Sequence, residues 1–484
     1  MGADAAVPDS DTSPSDPSST VHARRNFVLG ALSRAIGSTS YDFIHPDLIV
    51  AGLIYTLTLP VFGKAWALAL VAAVSIINKG ASLLPQLYVS SRLEHHARKR
   101  PFYLLLTVVR LWGAAVLLVA IHLLATRVDG ATLGLFFAAF LVISVCLGAE
   151  HIVTLDMIGR MIPLGRMGSF FGIRDFLGGL LSLAAGMAVV QPILSGGGQM
   201  RGAARVAANY FWLAVIGAVL AAVSMALFAT CREGAGPGAK RRTTVGESLL
   251  RGWRWLKRNP DYRAYLWLRI AFRFNYLAMT FFIPYGEQTL RSSGDVAGVA
   301  VLGGLMVATF KLSRLASSAV WGWMADARGD RAVLIGAGIG FTVAPALALA
   351  APVLPEAFRL PIPMTGRSLD LPLLVYLAAL VAIGAAFQAS IIGGNRFLVG
   401  RAPPRRRLSY VGFLNTVTSP LTLLPLLAAA VAGHFGMTML FAVIVAAGLL
   451  YLFWAVRVRP ETGKAPVRGQ RGPALPADSG SGGA

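Results

Sequence analysis

Apolar runs of about 20 residues recur along the chain, each closed by a short polar and often basic segment. A helix of that length crosses the hydrocarbon of a bilayer. The pattern predicts twelve helical spans, over 27–58, 65–89, 102–125, 131–155, 169–192, 208–230, 263–286, 296–321, 331–352, 371–394, 409–432 and 435–456. The first is too long for one straight crossing. Pro46, in the stretch Tyr-Asp-Phe-Ile-His-Pro-Asp, is placed to break it, because proline lacks an N–H and its ring collides with the preceding turn. Outside the spans, residues 1–24 are acidic and Ser/Pro-rich with no apolar core, and 458–484 are rich in Gly, Pro and Arg; both read as disordered tails rather than signal peptides.

Composition agrees with the pattern. The chain has 484 residues, 56% hydrophobic and 14% charged, more apolar surface than a soluble fold could bury. The expected class is an all-α membrane protein. Cys146 lies within a span and Cys231 at the end of another, so no disulfide framework is implied. The net charge of +22 would suggest nucleic acid in a soluble protein. Its distribution gives a different reading. Arg92, Arg98, Lys99, Arg100, Arg160, Arg166, the run from Lys240 to Arg263, Arg328, Arg331 and Arg401 to Arg407 all fall on one set of loops. The opposite loops hold several-fold fewer. That asymmetry predicts cytoplasmic N- and C-termini in a multi-pass inner-membrane protein with no nucleic-acid partner.

The chain repeats itself. Aligning LDMIGRMIPLGRMGSFFGIRDF, from Leu155, with NRFLVGRAPPRRRLSYVGFLNT, from Asn395, pairs Pro163 with Pro403, Arg166 with Arg406, Ser169 with Ser409 and Gly172 with Gly412. Lys79 and Lys311 are likewise equivalent, as are Arg34 and Arg273 within a residue or so. Two six-helix bundles are expected, 25–231 and 263–457, joined by a basic connector over 232–262. Within the connector, Val245, Leu249, Trp253 and Leu256 share one helical face. This predicts an amphipathic helix either lying at the inner membrane surface or packed on the bundle.

Charged residues inside the spans are costly and mark function by default. Arg34, Tyr41 and Asp42 share one side of the first helix; Asn78 and Lys79 stand on the second, Arg110 on the third, Arg273 and Tyr276 on the seventh, and Lys311 on the eighth. With Gln388 on the tenth, these are candidate substrate contacts facing a wet interior. Lys79 lies about 15 residues before Glu94, roughly 22 Å along the helix, too deep for easy snorkelling to the inner surface. Structural pairing of the lysines with Asp42, Glu150 or a helix end is the competing reading. Asp42 and Glu150, the deepest acids, are candidates for a coupling proton, since apolar surroundings and a nearby cation pull a carboxyl in opposite directions. A structural ion pair is the alternative for each. His151 reads as a satisfied core histidine rather than a relay, and the segments around Arg166 and Arg406 as structural.

From Trp321 to Leu334 the sequence WGWMADARGDRAVL resembles the signature loop of the major facilitator superfamily, a G-x-x-x-D-x-x-G-x-R/K pattern filled by Gly322, Asp326, Gly329 and Arg331. The first half carries a departed copy in Ser90, Glu94, Ala97 and Lys99. The resemblance spans about residues 25–457. It implies two pseudo-symmetric bundles rocking about a central cavity, a small-molecule substrate, a monomer, and no cofactor or nucleotide hydrolysis. The loop acids are expected to cap a neighbouring helix N-terminus, or to pair with Arg160 or Arg401, while that side is shut. Excess cations in the spans point to an anionic or amphiphilic organic solute, with proton coupling. A lipid or glycolipid translocase on the same scaffold is the alternative. An enzyme is disfavoured, because no zinc-protease motif, nucleophile elbow or phosphate loop is present.

Overall fold

The computed structural model describes residues 17–83, 86–195, 203–234, 244–289, 296–355, 360–361 and 368–460. The chain opens with α1 (Pro17–Phe43), a π-helical turn at Pro46–Val50, and α2 (Ala51–Leu83), followed by α3 (Gln86–Leu93), α4 (Arg100–Thr126) and α5 (Gly130–Met161). Next come α6 (Met167–Ala185), α7 (Gln191–Ser195), α8 (Ala203–Ala229) and the connector helix α9 (Val245–Arg258). The second half comprises α10 (Pro260–Asn275), α11 (Leu277–Thr289), α12 (Val296–Ala350), α13 (Leu371–Arg401), α14 (Arg407–Thr418) and α15 (Leu424–Arg457). One two-residue antiparallel pair, Leu360–Pro361 with Ser368–Leu369, lies in the loop before α13.

Eight helices among the described residues are long and apolar enough to cross a membrane. Two of them, Ala51–Leu93 and Leu305–Val353, are 43 and 49 residues long, too much for one crossing. Each is broken at a positive-φ glycine, Gly63 (φ 77°) and Gly329 (φ 81°), and α15 breaks likewise at Gly436 (φ 83°). These divisions accord with twelve spans. Helices α1, α10 and α14 are less apolar than the long helices α2, α4, α5, α8, α13 and α15. Pro46 ends the first helix as its chemistry requires, with the Ile49 and Val50 amides both donating to the His45 carbonyl, at 2.8 and 3.1 Å.

Residues 17–24 of the expected N-terminal tail are helical, part of α1; residues 1–16 lie outside the described residues. Asn26 fixes this end, exchanging hydrogen bonds with the Arg232 backbone (2.9 and 3.0 Å), and His22 lies 3.1 Å from the Arg232 guanidinium. Most of the expected C-terminal tail lies outside the described residues.

The two halves meet along two helix pairs related as the repeat predicts: α6 with α12, and α3 with α14. The first is the closer. A Cβ on Gly172 would stand 2.6 Å from the Ser318 carbonyl oxygen, and one on Gly322 would stand 2.7 Å from that of Gly168. In the second pair a Cβ on Gly412 would meet Ser90 Oγ at 3.0 Å. Ser90 therefore stands where Gly322 must be glycine because α3 and α14 keep a wider separation. Gly322→Val is expected to force α6 and α12 apart. It should weaken the closed contact by about 1–3 kcal/mol, the usual cost of overpacking. The distance between spin labels at Gly165→Cys, where a side chain meets nothing within 4 Å, and exposed Arg328→Cys should lengthen in that variant.

Candidate functional site: a polar cavity between the halves

On the basic face of the bundle, the one that carries the signature loops and α9, two carboxylates close the space between the halves. Asp326, on α12, accepts hydrogen bonds from the Gly168 and Ser169 amides at the start of α6 (2.6 and 2.7 Å) and pairs with Arg396 of α13 at 3.0 Å. Glu94 does the same for the other pair, accepting from the Ser409 amide of α14 at 3.1 Å and pairing with Arg406 at 2.8 Å. Each acid thus sits on the positive end of a helix from the opposite half, where free N–H groups and the helix dipole favour an anion. Arg407 adds a further link, 3.7 Å from Asp156 of the first half.

Other residues expected at this gate have different roles. Arg160 pairs with Asp156 at 2.7 Å and donates to the Ala97 carbonyl. Arg401 bridges Asp330 and Asp261, both at 3.1 Å. Arg331 donates to the Val456 carbonyl at 3.0 Å. Lys99 is buried and donates to the carbonyls of Leu93 and His96, while its amide donates to Glu233. Burial pushes its ammonium down to about 8 despite the nearby Asp156. All four hold their own half together. Acids and bases crowd this face, and the shorter reach within a half wins. Gly329 supplies the left-handed turn between the two segments of α12. Its counterpart Ala97 lies in an open loop and has no such duty.

Away from the gate, a cavity of about 1290 Å³ separates the halves. Arg34, Tyr41, Asp42, Lys79, Arg174 and Asp175 line it from the first half, and Tyr276, Lys311, Arg314 and Gln388 from the second. Its remaining wall is apolar, with Phe282, Met306, Phe310, Leu315, Ile383 and Leu423. A second cavity of about 560 Å³ shares Arg34, Tyr41, Asp42 and Arg174 with the first and continues toward the gate past Asn78, Arg110, Glu150, His151 and Arg269. Between them runs a chain of side chains that crosses the halves. Arg174 donates to Asp175 at 2.8 Å, Gln388 donates to Asp175 at 2.9 Å, and Arg314 reaches the Gln388 carbonyl oxygen at 3.4 Å.

The cations are not equivalent. Lys79 donates to Ser75 Oγ at 3.0 Å. Arg110 donates to Glu150 at 2.6 Å, leaving the other Glu150 oxygen buried without a hydrogen bond among the described residues. Arg34 and Lys311 are exposed to the cavity and have no hydrogen bond or ion pair among the described residues. Asp42 lines both cavities, also without such a partner. Arg273 lines neither, a correction to its expected place; on α10 the adjacent turn presents Arg269 instead, which donates to Asn415. His151 faces the smaller cavity and makes no hydrogen bond among the described residues, so it is not the satisfied core histidine expected. Arg406 belongs to the gate, whereas its repeat partner Arg166 is exposed.

Helical bundles joined in this way, with a polar cavity between pseudo-equivalent halves, define a transporter-like membrane fold. Residues 299–480 match the family profile described as Major Facilitator Superfamily. No curated protein matches the sequence. Among solved structures, the E. coli fucose:proton symporter FucP is similar with a TM-score of 0.67 at 12% identity, covering 91% of this chain and 100% of that one. A bacterial homologue of the iron transporter ferroportin, outward-facing with soaked iron, has a TM-score of 0.64 at 14% identity, covering 89% and 98%. The human organic anion transporter MFSD10 (TETRAN) has a TM-score of 0.63 at 15% identity, covering 91% and 100%. The chain shares the fold of these transporters, and its second half carries the family profile.

Proposed function

We propose that the protein is a secondary transporter that moves an organic anion with an apolar body across the membrane by alternating access. Arg34 and Lys311 carry this reading. They are two cations, one from each half, exposed to a shared cavity and with no hydrogen bond or ion pair to a carboxylate among the described residues. Holding such charges in a membrane interior costs several kcal/mol unless a ligand repays it. The apolar wall opposite them suits the rest of an amphiphilic solute. Proteins of this fold include a fucose:proton symporter and an organic anion transporter, which supports the class of activity.

Glu150 and Asp42 are the coupling groups in this reading. Each stands beside a cation-rich cavity, and a proton on either would raise the net positive charge that a substrate anion meets. The basic face is cytoplasmic by charge bias, with both termini on that side of the inner membrane. A monomer in which 25–231 and 263–457 rock about the connector 232–262 is sufficient. Arg34→Ala and Lys311→Ala are each expected to weaken anion binding about 10–100-fold, as for loss of one charge-assisted hydrogen bond. Isothermal titration of the purified protein with amphiphilic carboxylates and sulfonates tests this. Unchanged affinity in both variants would place the anion elsewhere.

A further inference from the structure

The connector helix α9 has two faces with different surroundings. On one, Ser248 and Gly252 are buried, and a Cβ on Gly252 would fall 2.1 Å from the Phe413 ring of α14. On the same side Trp255 packs against Tyr262 and Tyr410, with ring centroids 6.1 and 5.4 Å apart. Arg251 reaches to 3.7 Å from Glu94, the gate acid that caps α14. This helix therefore covers one of the two contacts that close the basic face. A capping box, Thr244 with Glu247, fixes where it starts.

The other face is unpartnered among the described residues and is ordered along its length. Its N-terminal part shows Leu249, Leu250 and Trp253, which are 39%, 60% and 53% exposed. Its C-terminal part shows Arg254, Lys257 and Arg258, all exposed. Only Asn259 separates α9 from α10, so the basic end stands where the next span enters the membrane. The stripe expected from sequence is split. Val245 and Leu256 turn to the bundle, while Leu249 and Trp253 turn away and are joined by Leu250.

We propose that α9 binds the anionic phospholipid headgroups of the adjoining leaflet through this outer face, and that the bound lipid holds the gate at Glu94 and α14 closed. Arg254, Lys257 and Arg258 pair with headgroup phosphates, and Leu249, Leu250 and Trp253 enter the acyl boundary. Each basic side chain near an anionic surface strengthens association about fivefold, so three give on the order of 100-fold. A tryptophan at this level sits where indole prefers to lie. Charge complementarity and continuity with a membrane span favour a lipid surface over a soluble partner. The inference needs only that the chain spans a membrane and has two states; it stands whatever the substrate.

The test uses the full chain in nanodiscs of phosphatidylcholine with increasing phosphatidylglycerol. Brominated lipid should quench more fluorescence in the wild type than in Trp253→Phe. Spin labels at Gly165→Cys, where a side chain meets nothing within 4 Å, and at exposed Arg328→Cys report the gate; both native cysteines are buried. The short-distance population should rise with phosphatidylglycerol. In Arg254→Gln/Lys257→Gln/Arg258→Gln that dependence should vanish while melting temperature stays near wild type. Equal quenching in wild type and Trp253→Phe, or quenching of Trp253 by aqueous iodide instead, would overturn the membrane contact and point to a soluble partner. A lipid-independent gate distance, or an unaltered dependence in the triple variant, would overturn the link to the gate.

Discussion

Replacing Asp326 by alanine is expected to shift the protein on the order of 100-fold toward a state open on the basic face, and adding Glu94→Ala to multiply the effect. Asp326 accepts two amide hydrogen bonds from the opposite half and one from the Arg396 guanidinium of its own half, all at 3.0 Å or less. Losing them leaves the N-terminus of α6 uncapped and Arg396, only 5% exposed, without its carboxylate. Charge-assisted bonds of this kind contribute about 1.5–3 kcal/mol each, and a buried cation deprived of its partner adds to the cost. A net loss of about 3 kcal/mol is the conservative figure. Glu94→Ala has the smaller effect of the two, since one backbone amide depends on it and its cation partners Arg406 and Arg251 are 26% and 24% exposed, more open to water than Arg396. In the proposed rocking motion both contacts open together, so the two losses act on one equilibrium. Spin-label distances across the gate measure it. An unchanged distance distribution in the double variant would show that the closed state is held by packing at Gly168, Gly172 and Gly322 rather than by the caps.

Glu150→Ala and Glu150→Gln should fail in different ways. Alanine leaves Arg110 without an anion deep in the first bundle, a loss of about 3–5 kcal/mol, enough to lower the yield of folded protein severely. Arg110→Leu combined with Glu150→Leu should recover most of that stability, since removing both charges removes the unpaired one. Glutamine keeps an oxygen for Arg110 while mimicking the protonated acid permanently. The expected phenotype is near-normal exchange of substrate down its gradient with loss of accumulation driven by a pH gradient. The measurement is exchange and accumulation of a labelled anion in the same vesicles. Accumulation at the wild-type level in Glu150→Gln would move the coupling role to Asp42.

Much of this architecture is legible in the sequence because its causes are local. Bilayer thickness sets the run lengths, Pro46 can only interrupt a helix, and the repeat of Pro163 with Pro403 announces two halves. The Asp326 cap was also within reach, since the loop spacing fixes an acid beside a glycine turn. What could not be read was the choice of partner. Arg396 and Arg406 serve the gate while Arg160 and Arg401 do not, although all four are arginines near the ends of spans. That choice depends on how α13 and α14 approach the opposite half, and nothing along the chain encodes the distance. Lys79 and Lys311 likewise look alike in the repeat, yet Ser75 engages only the first. Arg174, Asp175, Arg269 and Arg314 were less visible as site residues, because each lies near a helix turn where a one-residue rotation decides between cavity and packing. Helical spacing was the available signal: Arg269 lies four residues before Arg273, Arg314 three after Lys311, and Arg174 and Asp175 are adjacent opposite charges.

The central claim is that an organic anion binds between the halves at Arg34 and Lys311 and moves with a proton. The direct measurement is the pH change inside proteoliposomes carrying a trapped pH dye, challenged in turn with amphiphilic anions, organic cations and neutral sugars. The account predicts a response to anions in the wild type, none to cations or sugars, and loss of the anion response in Arg34→Ala/Lys311→Ala. A response to cations or sugars, or an anion response that survives the double substitution, would contradict it.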